Sequence, residues 1–411
     1  MNTLREDANY IIDKAIKKVL PDEAVKQALK DKKFNAGKIY VVATGKAAWQ
    51  MAKAASDILD DQIESGVVVT KYDHVKGEIK NMRCFEAGHP VPDDNSFIGT
   101  QAALDLVSNL NEDDTVLFLL SGGGSALFEK PLITPEELTS LTKQFLACGA
   151  DITEINTIRK RVSAVKGGKF AQICKPAQVY SIVLSDILGD PLDMIASGPA
   201  YPDSSTSSQA KAIVDKYQLQ LSKQALALLE EETPKELDNV ETIITGSVKN
   251  LCDASYEACR ELGYEPIYLT DQLTCQAKEA GSFLASIAKS YQNTNKSLAF
   301  IAGGETVVQL IGNGLGGRNQ ELALAGAKDI AGLTDTAIFS VGSDGTDGPT
   351  DAAGGYVDHE TKAKLDKEGI DIYQTLMNND AYHALEKVEG LIMTGPTGTN
   401  VNDVAALLIK R

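Results

Sequence analysis

Apolar strands that each run into a glycine- or aspartate-containing turn, and then into a helical stretch, recur along this chain. Lys38–Thr44, Thr115–Leu120 and Val179–Ser185 are three such strands, and amphipathic segments separate them. Strands that are apolar throughout and alternate with helices are typical of parallel sheets covered by helices on both faces. The pattern therefore predicts an α/β protein.

The strand–helix units fall into two blocks, and 411 residues are enough for two or three domains. A polar region rich in Pro, Ser and Asp follows the first block, and the units resume near Glu241. We predict a larger Rossmann-like parallel-sheet domain formed by residues 1–237 and 398–411, and a smaller C-terminal α/β domain formed by residues 238–397. The last apolar strand, Asp403–Arg411, is expected to return to the larger domain.

The net charge of −17 makes nucleic acid and anionic membrane poor partners, because an acidic surface repels an extended polyanion. A small anionic substrate is still allowed, since a few cations converging in one site are enough to bind it. The longest uncharged stretch, Thr115–Phe128, is too short to span a bilayer. Six cysteines without a C-x-x-C pair and a charged N-terminal segment predict a reduced, cytoplasmic protein.

Ser121-Gly122-Gly123-Gly124-Ser125 follows an apolar strand and precedes a predicted helix. Exposed backbone N–H groups in such a loop bind phosphate oxygens without a side-chain charge, and this is the interpretation we favour. A nucleophilic Ser125 on a strand-to-helix elbow is less consistent with the sequence, because the elbow pattern needs glycine where this chain has Leu127. A plain turn remains open.

Gly45-Lys46 also follows a strand and opens a helix. It is not a Walker A loop, because Tyr40 and Ala47 occupy positions where that motif needs Gly and Ser or Thr. A lysine at this place is able to reach a phosphate or a carboxylate. The alternative is a solvated lysine in the first turn of the helix.

Gly312-x-Gly314-x-x-Gly317 matches the dinucleotide-binding pattern, but its surroundings do not. Ser297–Ala302 and Thr306–Ile311 are separated by only three residues and predict an antiparallel hairpin instead of the first strand of a βαβ unit. Two interpretations remain, a glycine-rich turn and a loop that delivers Arg318, Asn319 and Glu321 to a site.

Aspartates gather after two predicted strands. Asp344, Asp347 and Asp351 follow Thr336–Val341, and Asp186 and Asp190 follow Val179–Ser185. Ligands of open α/β sheets bind at the carboxyl ends of the strands, and oxygen-only groups suit Mg²⁺ that bridges phosphates. We expect at least one of these aspartates to bind a metal or act as a base, although aspartate also favours such turns for purely structural reasons.

Nine stretches taken together resemble the glycerate 2-kinase family, the MOFRL-type glycerate kinases once often labelled hydroxypyruvate reductases. They are ATGKAAWQMA (43–52), AGHPVPD (87–93), LLSGGGSALFEKP (119–131), NTIRKRVSAVKGGKFA (156–171), VLSDILGDPLDMIASGP (183–199), IAGGETVVQL (301–310), GLGGRNQELAL (314–324), SVGSDGTDGPTDAAGG (340–355) and GPTGTNVNDV (395–404). They occur in order over nearly the whole chain.

The resemblance implies a larger nucleotide-fold domain and a smaller MOFRL-type domain with the active site in the cleft between them. It also implies ATP- and Mg²⁺-dependent phosphorylation of D-glycerate on its 2-hydroxyl, giving 2-phosphoglycerate and ADP. Carried over by motif, the catalytic residues are Lys46, Arg318, Asp186 and Asp344. The nucleotide-binding residues are Ser121, Gly122, Gly123, Gly124 and Ser125. The substrate-binding residues are Arg318, Asn319 and Glu305, and the metal ligands are Asp186, Asp190, Asp347 and Asp351.

Two other classes of function stay open on the sequence. A hydroxypyruvate reductase would need a nicotinamide site and a proton-transferring histidine, and the chain has only four histidines. A non-catalytic nucleotide or metabolite sensor would not require so many carboxylates beside cations. The partners expected are ATP and D-glycerate, and the sequence leaves open whether the chain forms a homo-oligomer.

Overall fold

The protein, described here from a computed structural model that covers residues 3–411, consists of two compact units. The first unit is Ala24–Thr245, and the second combines residues 3–23 with Gly246–Arg411. Each unit has an α/β fold, which confirms the predicted fold class. Among the helices described over residues 3–411, none has the length and apolar character that a membrane crossing requires.

The helices are α1 (Leu4–Lys18), α2 (Pro21–Leu29), α3 (Ala48–Leu59), α4 (Asp94–Val107), α5 (Gly124–Leu127), α6 (Pro135–Cys148), α7 (Ile152–Val162), α8 (Lys169–Ile173), α9 (Ser207–Tyr217), α10 (Lys223–Glu230), α11 (Val248–Glu261), α12 (Ala277–Ser290), α13 (Arg318–Ile330), α14 (Thr361–Lys367), α15 (Ile372–Met377) and α16 (Ala381–Lys387). The strands are β1 (Ile39–Thr44), β2 (Ile63–Lys71), β3 (Met82–Ala87), β4 (Thr115–Leu120), β5 (Gln178–Leu184), β6 (Val240–Gly246), β7 (Glu265–Leu273), β8 (Leu298–Gly304), β9 (Thr336–Gly342), β10 (Gly354–Asp358), β11 (Leu391–Ile392) and β12 (Asp403–Ile409).

The first sheet has the strand order β3-β2-β1-β4-β5-β6, and its first five strands pair in parallel. This is the strand order of the Rossmann fold, and it agrees with the predicted Rossmann-like parallel sheet. Along β1, Val42 packs into one hydrophobic cluster, while Val41 and Ala43 pack into another on the opposite face. Both faces of the sheet are therefore covered, which is why its strands are apolar throughout.

The second sheet is mixed and has the order β11-β10-β9-β12-β8-β7. Strand β12 lies between β8 and β9 and is antiparallel to both, and all seven of its residues are buried. Because β12 runs against its two neighbours, its first residue lies where those two strands end. Asp403 is accordingly paired with Gly304 on one side and with Gly342 on the other.

The predicted domain boundaries are wrong in three places. Strand β12 belongs to the second sheet instead of returning to the first, because its apolar side chains complete the core between β8 and β9. Strand β6, beyond the predicted boundary at residue 238, is the sixth strand of the first sheet. Residues 3–23 belong to the second unit, since α1 packs against α11 and its buried Asp7 accepts hydrogen bonds from Tyr264 and Lys410.

Candidate active site

The centre of the first sheet is a topological switch point, where the chain connections leave β1 and β4 in opposite directions. At such a point the loops that follow the two strands separate and leave a crevice. Gly45 and Lys46 follow β1, and the glycine loop Ser121–Ser125 follows β4. The backbone N–H of Lys46 donates to the carbonyl oxygen of Gly122 at 2.9 Å. The structure therefore brings together Lys46 and the glycine loop, which the sequence analysis singled out separately.

Close packing explains each glycine of this loop. A side chain on Gly122 would overlap the carboxylate of Asp186, one on Gly123 would meet the imidazole of His89, and one on Gly124 would lie 2.7 Å from the Cβ of Ala196. Asp186 is thus beside the loop. His89 is a site residue that the prediction missed, although it lies in the family stretch at 87–93.

The electrostatics of this crevice are those of an anion site. Lys46 is half-buried, and no described residue of the first unit places a carboxylate within salt-bridge distance of its ammonium group. Burial and the positive charges of Lys46 and Lys71 hold the pKa of His89 below its usual value. The imidazole is therefore neutral at pH 7. Among the described residues of the first unit, the ammonium group of Lys46 has no carboxylate counter-charge, in a chain that is strongly acidic overall.

The helix predicted after the glycine loop is only one turn long, since α5 covers Gly124–Leu127. Ser125 Oγ lies 3.5 Å from Ser197 Oγ and not beside a histidine. The arrangement gives no base for a serine nucleophile, so the elbow interpretation is not supported.

The second cluster of predicted site residues lies in the second unit, where the carboxyl ends of β8 and β9 meet the amino end of β12. Arg318 is the first residue of α13, and its guanidinium holds Asp403 through Nε–Oδ2 and Nη2–Oδ1 contacts of 2.6 and 3.1 Å. Its Nη1 donates to Glu305 Oε1 at 3.0 Å. Asp403 was predicted only as the start of a buried strand, so the partner that orients Arg318 was missed.

These contacts occupy three of the five N–H donors of the Arg318 guanidinium. One N–H on Nη1 and one on Nη2 remain, which is enough for a further carboxylate. Burial lowers the pKa of Arg318, but the hydrogen bonds and negative charge of Asp403, aided by Glu305, outweigh it and raise the pKa above its ordinary value. Burial raises the pKa of Asp403, which is 6% exposed, and the contacts with Arg318 oppose that rise.

Asp347 holds the first turn of α13 in place. Its carboxylate accepts hydrogen bonds from the backbone N–H groups of Asn319 and Gln320, at 3.2 and 2.8 Å, and from Asn319 Nδ2 at 3.3 Å. Gly317 has no side chain because one would overlap Asp347. In this arrangement Asp347 acts as a buried cap of α13, and the metal ligation expected of it stays a prediction.

Asn319 is also fully engaged within the protein. Its side-chain oxygen accepts from Ser340 Oγ at 2.6 Å, its amide nitrogen donates to Asp347, and the residue is 1% exposed. The predicted direct contact of Asn319 with substrate is therefore not supported. Its role is to connect α13 to β9, which fixes the backbone position from which the Arg318 side chain extends.

The burial of Asp347 makes the stability of the protein depend on pH. Burial raises the pKa of Asp347 to about 7, against the opposing effect of the N–H groups of α13. The native state then binds this proton more tightly than the unfolded state, so the free energy of unfolding falls as the pH rises towards 7. Between pH 5.5 and 7.5 we expect the free energy of unfolding of wild type to fall by about 2 kcal/mol relative to that of Asp347→Asn.

Denaturant unfolding of both proteins at the two pH values measures this difference. The variant loses hydrogen bonds at every pH and is expected to be less stable than wild type in acid. The test is therefore how much the difference in unfolding free energy between the two proteins changes from pH 5.5 to pH 7.5. A difference that stays the same at pH 5.5 and 7.5 would contradict the assignment.

The remaining predicted metal ligands are divided between the two units. Asp186 and Asp190 follow β5 in the first unit, whereas Asp351 is exposed in the second unit and accepts a hydrogen bond from Tyr382 at 2.8 Å. Over the described residues 3–411, no group of three or more His, Cys, Asp or Glu side chains is arranged to hold a metal ion. The predicted set of Asp186, Asp190, Asp347 and Asp351 is thus not a metal site within either unit. Asp344 is partly exposed, and its Oδ1 accepts from Thr346 N at 3.1 Å.

The glycines of the G-x-G-x-x-G motif have a structural explanation. Residues 306–311 do not form the second strand of a hairpin, because β8 pairs with β7 and β12 instead. Side chains on Gly312 and Gly314 would overlap the backbone of Asn378 and the side chain of Asp380. The loop packs on the turn at 378–380 and then enters α13. The motif therefore delivers Arg318 and Glu321 at the start of a helix, and Glu321 itself is buried against Asn379.

Comparison with known proteins agrees with this arrangement. Residues 7–230 match the family described as "Domain of unknown function (DUF4147)", and residues 298–403 match the MOFRL family. The chain is 51% identical over 413 residues to the D-glycerate 2-kinase of Thermotoga maritima, with 99% of each chain covered. It is 40% identical over 433 residues to the glycerate 2-kinase of Pyrococcus horikoshii, which covers 99% of this chain and 97% of the relative.

The crystal structure of glycerate kinase from Thermotoga maritima has the same fold, with a TM-score of 0.96, 51% sequence identity and 99% coverage of both chains. At this level of identity over almost the full length, both the sequence and the fold are shared. The chain therefore belongs to the glycerate 2-kinase family.

Proposed function

We propose that this chain catalyses the transfer of the γ-phosphoryl group of ATP to the 2-hydroxyl of D-glycerate, giving 2-phosphoglycerate and ADP. The relatives bear the name of this kinase, and the arrangement of charges in the chain suits the reaction. Phosphoryl transfer needs positioned reactants and neutralised negative charge more than it needs a covalent intermediate.

The observation that carries the proposal is the position of Lys46. Its ammonium group is half-buried beside the glycine loop and has no carboxylate partner among the described residues of the first unit. A polyphosphate supplies the missing negative charge, and backbone N–H groups of the loop at Ser121–Ser125 supply hydrogen bonds to its oxygens. Lys46 would then stabilise the charge that spreads over the transferring phosphoryl group.

Arg318 is proposed to bind the carboxylate of D-glycerate. Asp403 and Glu305 hold three N–H groups of the planar guanidinium and so fix its orientation. The two N–H groups that remain, one on Nη1 and one on Nη2, therefore point in fixed directions. Glu305 would act through Arg318, by holding Nη1, instead of touching the substrate.

The proton of the attacking hydroxyl requires a base. Asp347, Asp351 and Asp403 are occupied by α13, Tyr382 and Arg318, respectively. We propose Asp344 as the base, since it is partly exposed beside the Arg318 cluster. A side chain on Gly342 would lie 3.3 Å from Asp344 Oδ1 and 3.4 Å from Asp403 Oδ1, which places the two carboxylates near one another.

The residues present do not fit a metal ion held by the protein alone, as described above. We propose that Mg²⁺ enters on the nucleotide, as the MgATP substrate. Such an ion keeps most of its ligands as phosphate oxygens and water, and one or two carboxylates are enough to contact it. Asp186 beside Gly122 is the proposed contact.

The six cysteines form no disulfide within the described chain, which is consistent with the proposed cytoplasmic location.

The position of phosphorylation is the sharpest test of the proposed function. The product formed from MgATP and D-glycerate should be consumed by enolase without added phosphoglycerate mutase, because enolase acts on the 2-phosphate. A requirement for mutase would show that the 3-hydroxyl is the acceptor. Oxidation of NADH by hydroxypyruvate, measured at 340 nm in the absence of ATP, should stay at background, and a clear rate there would favour a reductase instead.

A further inference from the structure

The stretch Asn156–Ala171 contains several buried lysine and arginine side chains, and the proposed reaction does not use them. Lys160, Arg161 and Lys166 are each at most 2% exposed. A buried ammonium or guanidinium group is costly to desolvate and persists only when its hydrogen bonds are satisfied. The partners of these cations therefore indicate what each of them holds.

Lys160 and Arg161 hold a loop far along the chain from the glycine loop. Lys160 Nζ is 3.0 Å from Asp203 Oδ1, and Arg161 donates to Ser205 and to Glu232. Lys160 Nζ also lies 3.4 Å from Asp193 Oδ2. The contacts of Lys160 and Arg161 thus fix the segment around residues 203–205 and, more weakly, Asp193, and none of them is made to the glycine loop.

Lys166 has different partners, which are the last residue of the glycine loop and two residues that follow it closely. Its Nζ donates to the carbonyl oxygens of Ser125 and Phe128, both at 3.0 Å, and forms an ion pair with Glu129 Oε2 at 2.9 Å. A lysine has three N–H donors, so one segment of five residues, 125–129, takes all of them. Burial lowers the pKa of Lys166, and the charge of Glu129 opposes that effect.

The two residues after Lys166 hold the other side of the glycine loop. Gly167 N and Gly168 N donate to the carbonyl oxygens of Ser197 and Gly198, at 2.9 and 2.7 Å. Ala196 and Ser197 have φ values of 50° and 61°, a left-handed conformation that is unfavourable for residues with a side chain. A turn in this conformation persists because its surroundings fix it, and Ser197 Oγ also donates to Asn156 at 2.9 Å.

The glycine loop packs against this strained turn. The Cα of Gly124 faces the methyl group of Ala196 so closely that a side chain there would lie 2.7 Å from it, and Ser125 Oγ is 3.5 Å from Ser197 Oγ. The tripeptide Lys166-Gly167-Gly168 thus contacts both neighbours of the loop. Its lysine holds the carboxyl end of α5, and its glycines hold the turn on which Gly124 rests.

We infer that Lys166 is a positioning residue for the nucleotide: it fixes the glycine loop in the shape that binds the phosphates of ATP. The inference rests on the proposed function, in which that loop contacts ATP. It assigns a role to the Asn156–Ala171 stretch that is separate from the direct contacts of Lys46 and Arg318.

The chain contains a matched control three residues away. Lys169 Nζ donates to two backbone carbonyl oxygens, those of Arg161 and Ser163, at 3.0 and 2.7 Å. It makes the same kind of contact as Lys166, but not to the glycine loop. Lys169→Met therefore reports what the loss of a partly buried ammonium group in this stretch does by itself.

The test compares this control with the pair variant Lys166→Met/Glu129→Gln, in which neither partner of the Lys166–Glu129 ion pair is left without the other. The KM for ATP should rise about 10- to 100-fold in the pair variant, because small displacements of a positioning group have effects of this size. The KM for D-glycerate should stay within about twofold, since the loop does not contact that substrate. Lys169→Met should leave both KM values near those of wild type, even where its Tm falls.

Hydrogen exchange of the backbone amides at residues 121–129 gives a second readout. The pair variant should exchange faster there than wild type and gain less protection when MgATP is added, and Lys169→Met should match wild type. Equal changes in the two variants, or an unchanged KM for ATP in the pair variant, would overturn the positioning role. If the pair variant is insoluble, Lys166→Arg keeps the charge but displaces the two carbonyl contacts, so a raised KM for ATP is again expected, and a wild-type value overturns the inference.

The two proposals fail in different ways. If the wild-type chain transfers no phosphate to D-glycerate, the proposed function is wrong. In that case the exchange at residues 121–129 without nucleotide still decides whether Lys166, and not Lys169, fixes the loop.

Discussion

In Lys46→Met we expect the kcat for phosphoryl transfer to fall about 10²- to 10³-fold, the effect of removing one charge-stabilising donor from a preorganised site. The ammonium group has no carboxylate partner among the described residues of its unit, so its removal leaves no buried counter-charge behind. The fold should therefore tolerate the change. Because the interaction strengthens as charge develops on the transferred group, kcat should fall by more than the KM for ATP rises.

Lys53→Met is the control for this experiment. Lys53 lies on α3, forms an exposed ion pair with Asp57, and is far enough along the helix to have no place in the site. Steady-state kinetics of both variants, with circular dichroism to confirm folding, gives the comparison. A Lys46→Met enzyme with normal kcat and a raised KM for D-glycerate would instead assign the lysine to the substrate carboxylate.

The second large effect is expected in Arg318→Lys. Lysine keeps the positive charge but lacks the planar group that contacts Asp403 and Glu305 on one side and leaves two directed N–H groups on the other. A lost bidentate charged contact corresponds to about 1.5–3 kcal/mol, and the KM for D-glycerate should therefore rise roughly 10- to 150-fold. The KM for ATP should change little.

Asp403→Asn tests how much the orientation of the Arg318 side chain contributes to substrate binding, because the arginine and its charge remain. The amide keeps one acceptor oxygen but loses the ion pair, so the guanidinium is held less firmly and the KM for D-glycerate should rise by less than in Arg318→Lys. If Arg318→Lys raises the KM for ATP instead, the arginine belongs with the nucleotide. If both substitutions leave every parameter unchanged, the substrate binds elsewhere.

The sequence was most informative about the strands and the loops that follow them. The bounds of β4 and the position of Lys46 and of the glycine loop after their strands were predicted from local patterns, because apolar runs and glycine turns are local features. The pairing of β12 was not predictable in this way. Its apolar residues signal burial, but they carry no information on which strands, 60 to 110 residues earlier, will lie beside them.

The same limit explains the errors in the site. Asp347 was a functional candidate because it follows a strand, and Asp403 was predicted only as the first residue of a strand. Only three-dimensional contacts reveal that Asp347 caps α13 and that Asp403 holds Arg318. The three consecutive glycines at 122–124 predicted a loop whose backbone N–H groups bind phosphate oxygens, with a plain turn as the alternative. The structure shows that Asp186, His89 and Ala196 are among the groups approached.

The place of β12 has a consequence for how the protein is made. The first unit, Ala24–Thr245, is one continuous stretch, so all of its strands have left the ribosome before the strands of the second sheet are complete. In the second sheet, β8 and β9 are separated by a strand that is synthesised after every other strand of that sheet. Until Asp403–Ile409 emerges, two apolar strand edges lack their common partner, and exposed edges of this kind recruit other chains. Nascent chains stalled before residue 403 should thus hold a folded first unit and an aggregation-prone second one, and the residue that orients Arg318 arrives with the strand that closes the sheet.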